Sequence, residues 1–313
     1  MKKNLFIAAM GLLVMAGCSS NGDEIDNIIA NNENAITFDS YVGKTTKAGV
    51  TEAFGVFAYQ GTWASTLTAN FMFNQKVETS GSYTPIKYWS GTNVSFIAYS
   101  PYQASETGKA LKDYTNTTQG LPQMDFTLPT TANTDLLVSD LVKNIKAGSV
   151  SLLLKHALAR ITFSIEDPKI EADGENNPTT VTLTSVVLSG LKSSGVLTFG
   201  ELDRTWNTDD AAVINDFEVT AKAPYYMIPQ ELAGVKANIT YTIKTTDAAL
   251  PSGGLSIEKT VEIDLATTNI STWDITKQYN YTVSPTLEKV SIKATVDAWG
   301  EEKAPAIPEK TEP

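Results

Sequence analysis

The sequence predicts an all-β protein built from two tandem β-sandwich domains, and three observations carry that prediction. Apolar and polar residues alternate with a period of two along several segments, β-branched and aromatic residues dominate those segments, and Gly, Pro and Asn punctuate the spaces between them. The chain of 313 residues exceeds the span of one ordinary domain, with 42% hydrophobic and 19% charged residues. That composition belongs to a folded chain with room for two modest cores.

The chain opens with an address. Lys2 and Lys3 precede an apolar run from Leu5 to Ala16, which is the charged and apolar anatomy of a secretory signal and is too short for the ~20 residues that span a bilayer. The run ends in Met15-Ala16-Gly17-Cys18. Small residues before a cysteine resemble the lipobox of lipoproteins, so residues 1–17 read as a removable signal and Cys18 as the lipid carrier. Cys18 is the sole cysteine, which rules out an internal disulfide. Ser19 to Asp26 is polar and acidic and resembles the surface-export tether of lipoproteins, giving a flexible 18–35 segment and an outer-membrane, surface-exposed location.

The predicted strands follow in order. Ile36–Val42, Phe54–Tyr59, Val94–Tyr99, Ile161–Ile165, Val181–Leu188 and Val290–Val296 are short, β-branched and aromatic. Asn238–Lys244 and Leu255–Leu265 alternate strictly and are joined by a loop ending in Pro251-Ser252-Gly253-Gly254, which predicts a long hairpin whose second strand is half-buried. Asp135–Lys146 is the best helical candidate and only marginally amphipathic. Gly148-Ser149 interrupts the pattern, placing a boundary between domains 36–148 and 149–300. Residues 301–313, rich in proline and charge, read as a disordered tail.

Composition excludes several functions. A net charge of -11 with only two arginines, Arg160 and Arg204, leaves no basic surface for nucleic acid. With one histidine, His156, and one cysteine, neither zinc ligation nor Cys-His catalysis has its residues. His156 sits in Leu153-Leu154-Lys155-His156-Ala157-Leu158 and reads as a packed, hydrogen-bonded imidazole. Asp173-Gly174-Glu175-Asn176-Asn177 and Asp209-Asp210 lack calcium-loop spacing and read as solvated turns. No cofactor, metal or catalytic site is expected. Trp63, Trp89, Trp206, Trp273 and Trp299 are read chiefly as core or sheet-face residues, with sugar stacking as the alternative.

A family resemblance enters at four places. Phe54-Gly55-Val56-Phe57-Ala58-Tyr59, followed by Tyr83-Thr84-Pro85-Ile86-Lys87-Tyr88-Trp89 and Phe96-Ile97-Ala98-Tyr99-Ser100-Pro101-Tyr102, resembles the N-terminal domain of the fimbrillins, the subunits of type V pili. Asp135-Leu136-Leu137-Val138 with Leu154 to Phe163 resembles the passage between that family's domains, and Tyr225-Tyr226-Met227-Ile228-Pro229-Gln230 resembles a segment of its second domain. The resemblance implies two transthyretin-like β-sandwiches and a non-catalytic subunit of an outer-membrane-anchored pilus acting in adhesion.

It also implies an assembly route. In fimbrillins a trypsin-like protease removes the N-terminal strand, and a strand of the next subunit fills the groove. Ile36–Val42 is then the removable strand, with Ile36, Phe38 and Val42 inward, and Lys44 and Lys47 are the candidate processing sites. The family commonly shows arginine there. The candidate donor is Val290–Val296, with Val290, Ile292, Ala294 and Val296 as its apolar face; the other reading makes it the closing strand of the second domain. Expected partners are other fimbrillin subunits, the outer membrane through the lipid, a processing protease and a host or glycan ligand. A surface glycan-binding lipoprotein is the alternative function.

Overall fold

The computed structural model describes residues 34–43, 48–104, 111, 114–129, 133–166, 179–219, 223–246, 252–285 and 290–299. The first part of the chain forms β1 (Thr37–Val42), β2 (Ala48–Gly49), β3 (Phe54–Gln60), β4 (Met72–Val77), β5 (Val94–Ser100), β6 (Gln123–Thr127), β7 (Leu137–Ser139), β8 (Val142–Ile145) and β9 (Ser149–His156). Next come β10 (Ala159–Ile165), β11 (Thr179–Ser189), β12 (Leu191–Lys192), β13 (Ser194–Phe199), β14 (Arg204–Asn207), β15 (Val213–Ile214) and β16 (Phe217–Val219). The chain continues with β17 (Tyr225–Met227), β18 (Gln230–Glu231), β19 (Lys236–Thr246), β20 (Gly254–Asp264), β21 (Thr272–Trp273), β22 (Lys277–Pro285) and β23 (Val290–Ala298). Among the described residues the only helical element is a 3-10 turn at Leu265–Thr268.

The N-terminal sheet runs β2-β1-β9-β7-β5-β3-β4, with β8 also paired to β5. Its central strands are covered on both faces, which explains their continuous apolar runs. In β3, Phe54, Val56 and Ala58 face one core while Phe57 and Tyr59 face another, and β5 divides Val94, Phe96 and Ala98 from Ile97 and Tyr99 in the same way. The second core continues without a break into the C-terminal half, where the sheets β17-β10-β22-β23 and β16-β11-β19-β20 enclose Phe163, Tyr281, Val283, Leu188 and Ile239. β6 leaves the N-terminal half to pair with β13.

Three sequence expectations are corrected. Residues 135–146 hold β7 and β8 instead of a helix, because β7 finds ladder partners in β5 and β9, and β8 in β5. The boundary at Gly148-Ser149 is crossed by the sheet: β9 pairs with β1 and β7, and Val150, Leu152 and Leu154 are buried in the N-terminal core, so the chain changes sheet between His156 and Ala159. The β19–β20 hairpin forms as expected, yet Leu255 and Ile257 are 54% and 41% exposed. β20 is an edge strand with β19 as its single ladder partner, and that end of it is left uncovered.

The halves are also joined by polar contacts. Asp140, in the turn between β7 and β8, accepts a hydrogen bond from Lys155 at 2.5 Å and another from Arg204 of β14 at 2.8 Å. Arg204 donates as well to the Val138 carbonyl at 3.2 Å. Glu201 accepts from the Trp63 indole at 2.7 Å and pairs with Lys143. Arg204, whose side chain is 5% exposed, thus has a carboxylate partner, as burial requires.

Candidate functional site

The site is built around β1. Along its whole length β1 runs parallel to β9, from Thr37 against Ser149 to Val42 against Leu154. On the other side β2 meets only Tyr41 and Val42. Among the described residues no strand pairs with Thr37–Ser40 on that side. β1 is therefore one short strand away from the sheet edge, where backbone groups are open to pairing with another chain.

The side chains explain why β1 is nonetheless held. Ile36 is fully buried and Phe38 nearly so, while Val42 is half-buried against the same core. The Phe38 ring meets three others edge-on: Tyr83 at 5.5 Å, Phe96 at 5.8 Å and Phe54 at 6.3 Å. Such pairs add to the stabilisation from burial alone. The entry to β1 is closed by a separate segment. The Ile36 amide donates to the Lys87 carbonyl and the Trp89 amide to the Asn34 carbonyl, both at 2.9 Å. Tyr83 donates its hydroxyl proton to the Ile36 carbonyl at 2.9 Å, and its burial pushes the phenol up to about 12. Removing residues 36–42 would open an aromatic-lined slot beside the exposed edge of β9.

The sequence-predicted residues fall at different places. Ile36, Phe38 and Val42 share this slot. Cys18, Lys44 and Lys47 lie outside the described residues, the lysines between β1 and β2. β23, which contains Val290, Ile292, Ala294 and Val296, is an edge strand paired antiparallel to β22 from Val290–Pro285 to Ala298–Lys277. Ile292 and Ala294 are half-buried against the C-terminal core, and Val296 is 47% exposed.

His156 is packed and hydrogen-bonded. Its Nδ1 lies 2.6 Å from the Asp135 carboxylate, and its ring stacks on Trp299 at 3.5 Å. Burial raises the Asp135 carboxyl above the usual range, against the opposing pull of His156. Asp209 and Asp210 are exposed, and among the described residues no three His, Cys, Asp or Glu side chains converge as metal ligands. Asp173 to Asn177 lie outside the described residues.

Sequence reasoning did not single out Tyr83 as the clasp on Ile36, nor β2 as the outer neighbour of β1. Tyr83 sits in a segment already notable for its aromatic residues, but its partner is 47 residues away. Two residues of pairing at β2 leave no periodic signal.

The family model described as fimbrillin-like matches residues 41–299. The chain belongs to the fimbrillin-like family. As a fimbrillin-like protein it is a fimbrial subunit of the cell surface, with a structural role and no enzymatic one. No curated protein matches it. Solved structures share the fold. A fimbrial protein from Bacteroides vulgatus, 20% identical, aligns with a TM-score of 0.66 over 85% of this chain and 99% of its own. Candidate cell adhesion proteins from Bacteroides uniformis and Bacteroides ovatus, each 14% identical, align with TM-scores of 0.55 and 0.50. They cover 85% and 87% of this chain and 99% and 100% of their own.

Proposed function

We propose that this fimbrillin-like chain is a lipid-anchored pilus subunit of the outer membrane. In this reading it has two transthyretin-like sandwiches, 36–148 extended through β9 and the remainder to 300, and is assembled by loss of β1 and strand exchange. Cys18 carries the lipid, and cleavage falls after Lys44 or Lys47. The partners are further fimbrillin subunits and a processing protease, and a host or glycan ligand is engaged in adhesion. One observation carries the reading: β1 fills an aromatic slot through Ile36 and Phe38 while its outer edge is paired at only two residues. A strand that completes a core yet has so little ladder on one flank suits replacement by another chain, since an incoming strand restores both the β9 hydrogen bonds and the side-chain contacts.

The donor is β23, whose backbone has one ladder partner and whose apolar residues Ile292, Ala294 and Val296 alternate as those of β1 do. Shaft, tip and anchor positions differ only in whether cleavage and donation both occur.

Trypsin treatment of the unlipidated precursor is the direct test. Trimming at Lys44 or Lys47 should produce strand-exchanged oligomers, and a Lys44→Ala, Lys47→Ala variant should stay intact and monomeric. Trimmed protein that remains monomeric at high concentration overturns the shaft reading. Glycan binding has weaker support, because the indole N–H groups of Trp63, Trp89, Trp206 and Trp273 all donate to protein acceptors.

A further inference from the structure

The strand proposed as donor has little side-chain hold of its own. Ser291, Lys293, Thr295, Val296, Asp297 and Ala298 are exposed, and Ile292 and Ala294 are only half-buried. An edge ladder with so little apolar cover is held mainly by backbone hydrogen bonds, whose net contribution in the presence of water is modest.

The residue that follows the strand is placed differently. Trp299 stacks on His156 with ring centroids 3.5 Å apart and planes 13° off parallel, and on Tyr226 at 5.2 Å and 12°. The Arg160 guanidinium lies 5.9 Å from its ring, and its amide donates to the Thr276 carbonyl at 2.9 Å. These ring and cation contacts come from three strands other than the partner of β23: His156 ends β9, Arg160 lies in β10 and Tyr226 in β17. His156 is in turn fixed by Asp135 at 2.6 Å, so the face it offers to Trp299 is set before the indole arrives. β9 belongs to the N-terminal sheet, so the end of the last strand is fastened to the other half of the molecule.

We infer that Trp299, stacked on His156, is the latch of β23, and that this stack sets how readily the strand leaves to join another subunit. Asp135 is a positioning residue for the latch. The inference rests on the strand-exchange reading and adds where the hold on the donor resides.

The test uses the full chain without its lipid and a fluorescent peptide copying residues 290–299, added in excess. Incorporation measures displacement of β23 in uncut protein, so its outcome is independent of whether trimmed subunits polymerise through the β1 slot. Trp299→Leu and His156→Gln should each take up peptide about tenfold faster than the unaltered chain, the size expected for loss of an aromatic pair. Melting of the N-terminal core should be unchanged. Trp299→Phe, which keeps a stacking ring, should restore slow uptake. Equal rates in all chains, no uptake in any of them, or Trp299→Phe as fast as Trp299→Leu would overturn the latch. If Trp299→Leu does not fold, His156→Gln carries the same comparison.

Discussion

The Tyr83 hydroxyl reaches across the mouth of the first-strand slot and donates a 2.9 Å hydrogen bond to the carbonyl of Ile36, the residue that leads into β1. The same ring packs edge-on against Phe38 at 5.5 Å. One side chain therefore holds the removable strand by both its backbone and its core face.

Tyr83→Phe keeps the ring contact and deletes the hydroxyl, leaving the buried Ile36 carbonyl short of a donor and the Lys87 amide, which donates to that hydroxyl at 3.2 Å, short of an acceptor. The expected cost is about 1–2 kcal/mol. The effect should concentrate at β1, so hydrogen exchange at residues 36–42 should quicken more than exchange in β3 or β5. Uniform acceleration across the sheet would contradict a local clasp.

Alkaline pH should act on the same bond. The Tyr83 phenol is pushed up to about 12 by burial, against ~10 in an unfolded chain. A raised folded value means that the neutral form is favoured by folding, so its contribution is complete below pH ~10 and is lost as the pH rises through 12. Urea midpoints at pH 9 and 11 should show a smaller drop for Tyr83→Phe than for the unaltered chain. Other buried phenols such as Tyr279, also raised to about 12, supply the drop that remains.

Phe38→Ala removes a ring that touches Phe54, Tyr83 and Phe96. Large-to-small replacement at such a site costs about 3–5 kcal/mol. Urea unfolding should register that loss, and trimming by trypsin at Lys44 or Lys47 should accelerate because β1 then spends more time detached.

Gly55→Ala tests the packing of the central sheet. A Cβ there would lie 2.4 Å from Tyr99 Cε1 and 2.7 Å from Asn74 Oδ1. Tyr99 has little room to retreat, since its hydroxyl donates to Asn74 at 2.7 Å and also lies 3.0 Å from the Gln103 carbonyl. Overpacking by about 1–3 kcal/mol is expected, measurable as a lower urea midpoint with an unchanged slope.

Asp140→Ala should weaken the joint between the halves. Arg204 is 5% exposed in its side chain and would lose its carboxylate partner, at a cost of about 3 kcal/mol for an inward charge left unpaired. The loss should persist at high salt, because a partly buried pair is poorly screened. A double change that also replaces Arg204 with Met should recover much of it.

Strand positions were legible in the sequence where a period of two was sustained, as in the 238–265 hairpin, and where short runs are rich in β-branched and aromatic residues, as in Phe54–Tyr59 and Val94–Tyr99. The inward set Ile36 and Phe38 was legible for the same reason. Residues 135–146 were misread because two short strands around Asp140 carry apolar residues at spacings that also fit a helix. The break at Gly148-Ser149 marked a turn before β9, and nothing local distinguishes a turn within a sheet from a turn between domains.

By itself the sequence determined an all-β chain, the residues of the first strand that seek a core, and a content of histidine, cysteine and arginine too low for zinc ligation, Cys-His catalysis or a basic phosphate-binding surface. Tertiary structure alone decided the partners. β1 lies beside β9, whose first residue follows it by 112 positions along the chain, and Trp299 rests on His156 from the far end of the fold. Burial patterns are written into each segment by its own side chains, whereas strand pairing is a choice among many edges of similar hydrogen-bonding capacity. That choice is settled only when all the segments compete for the same core.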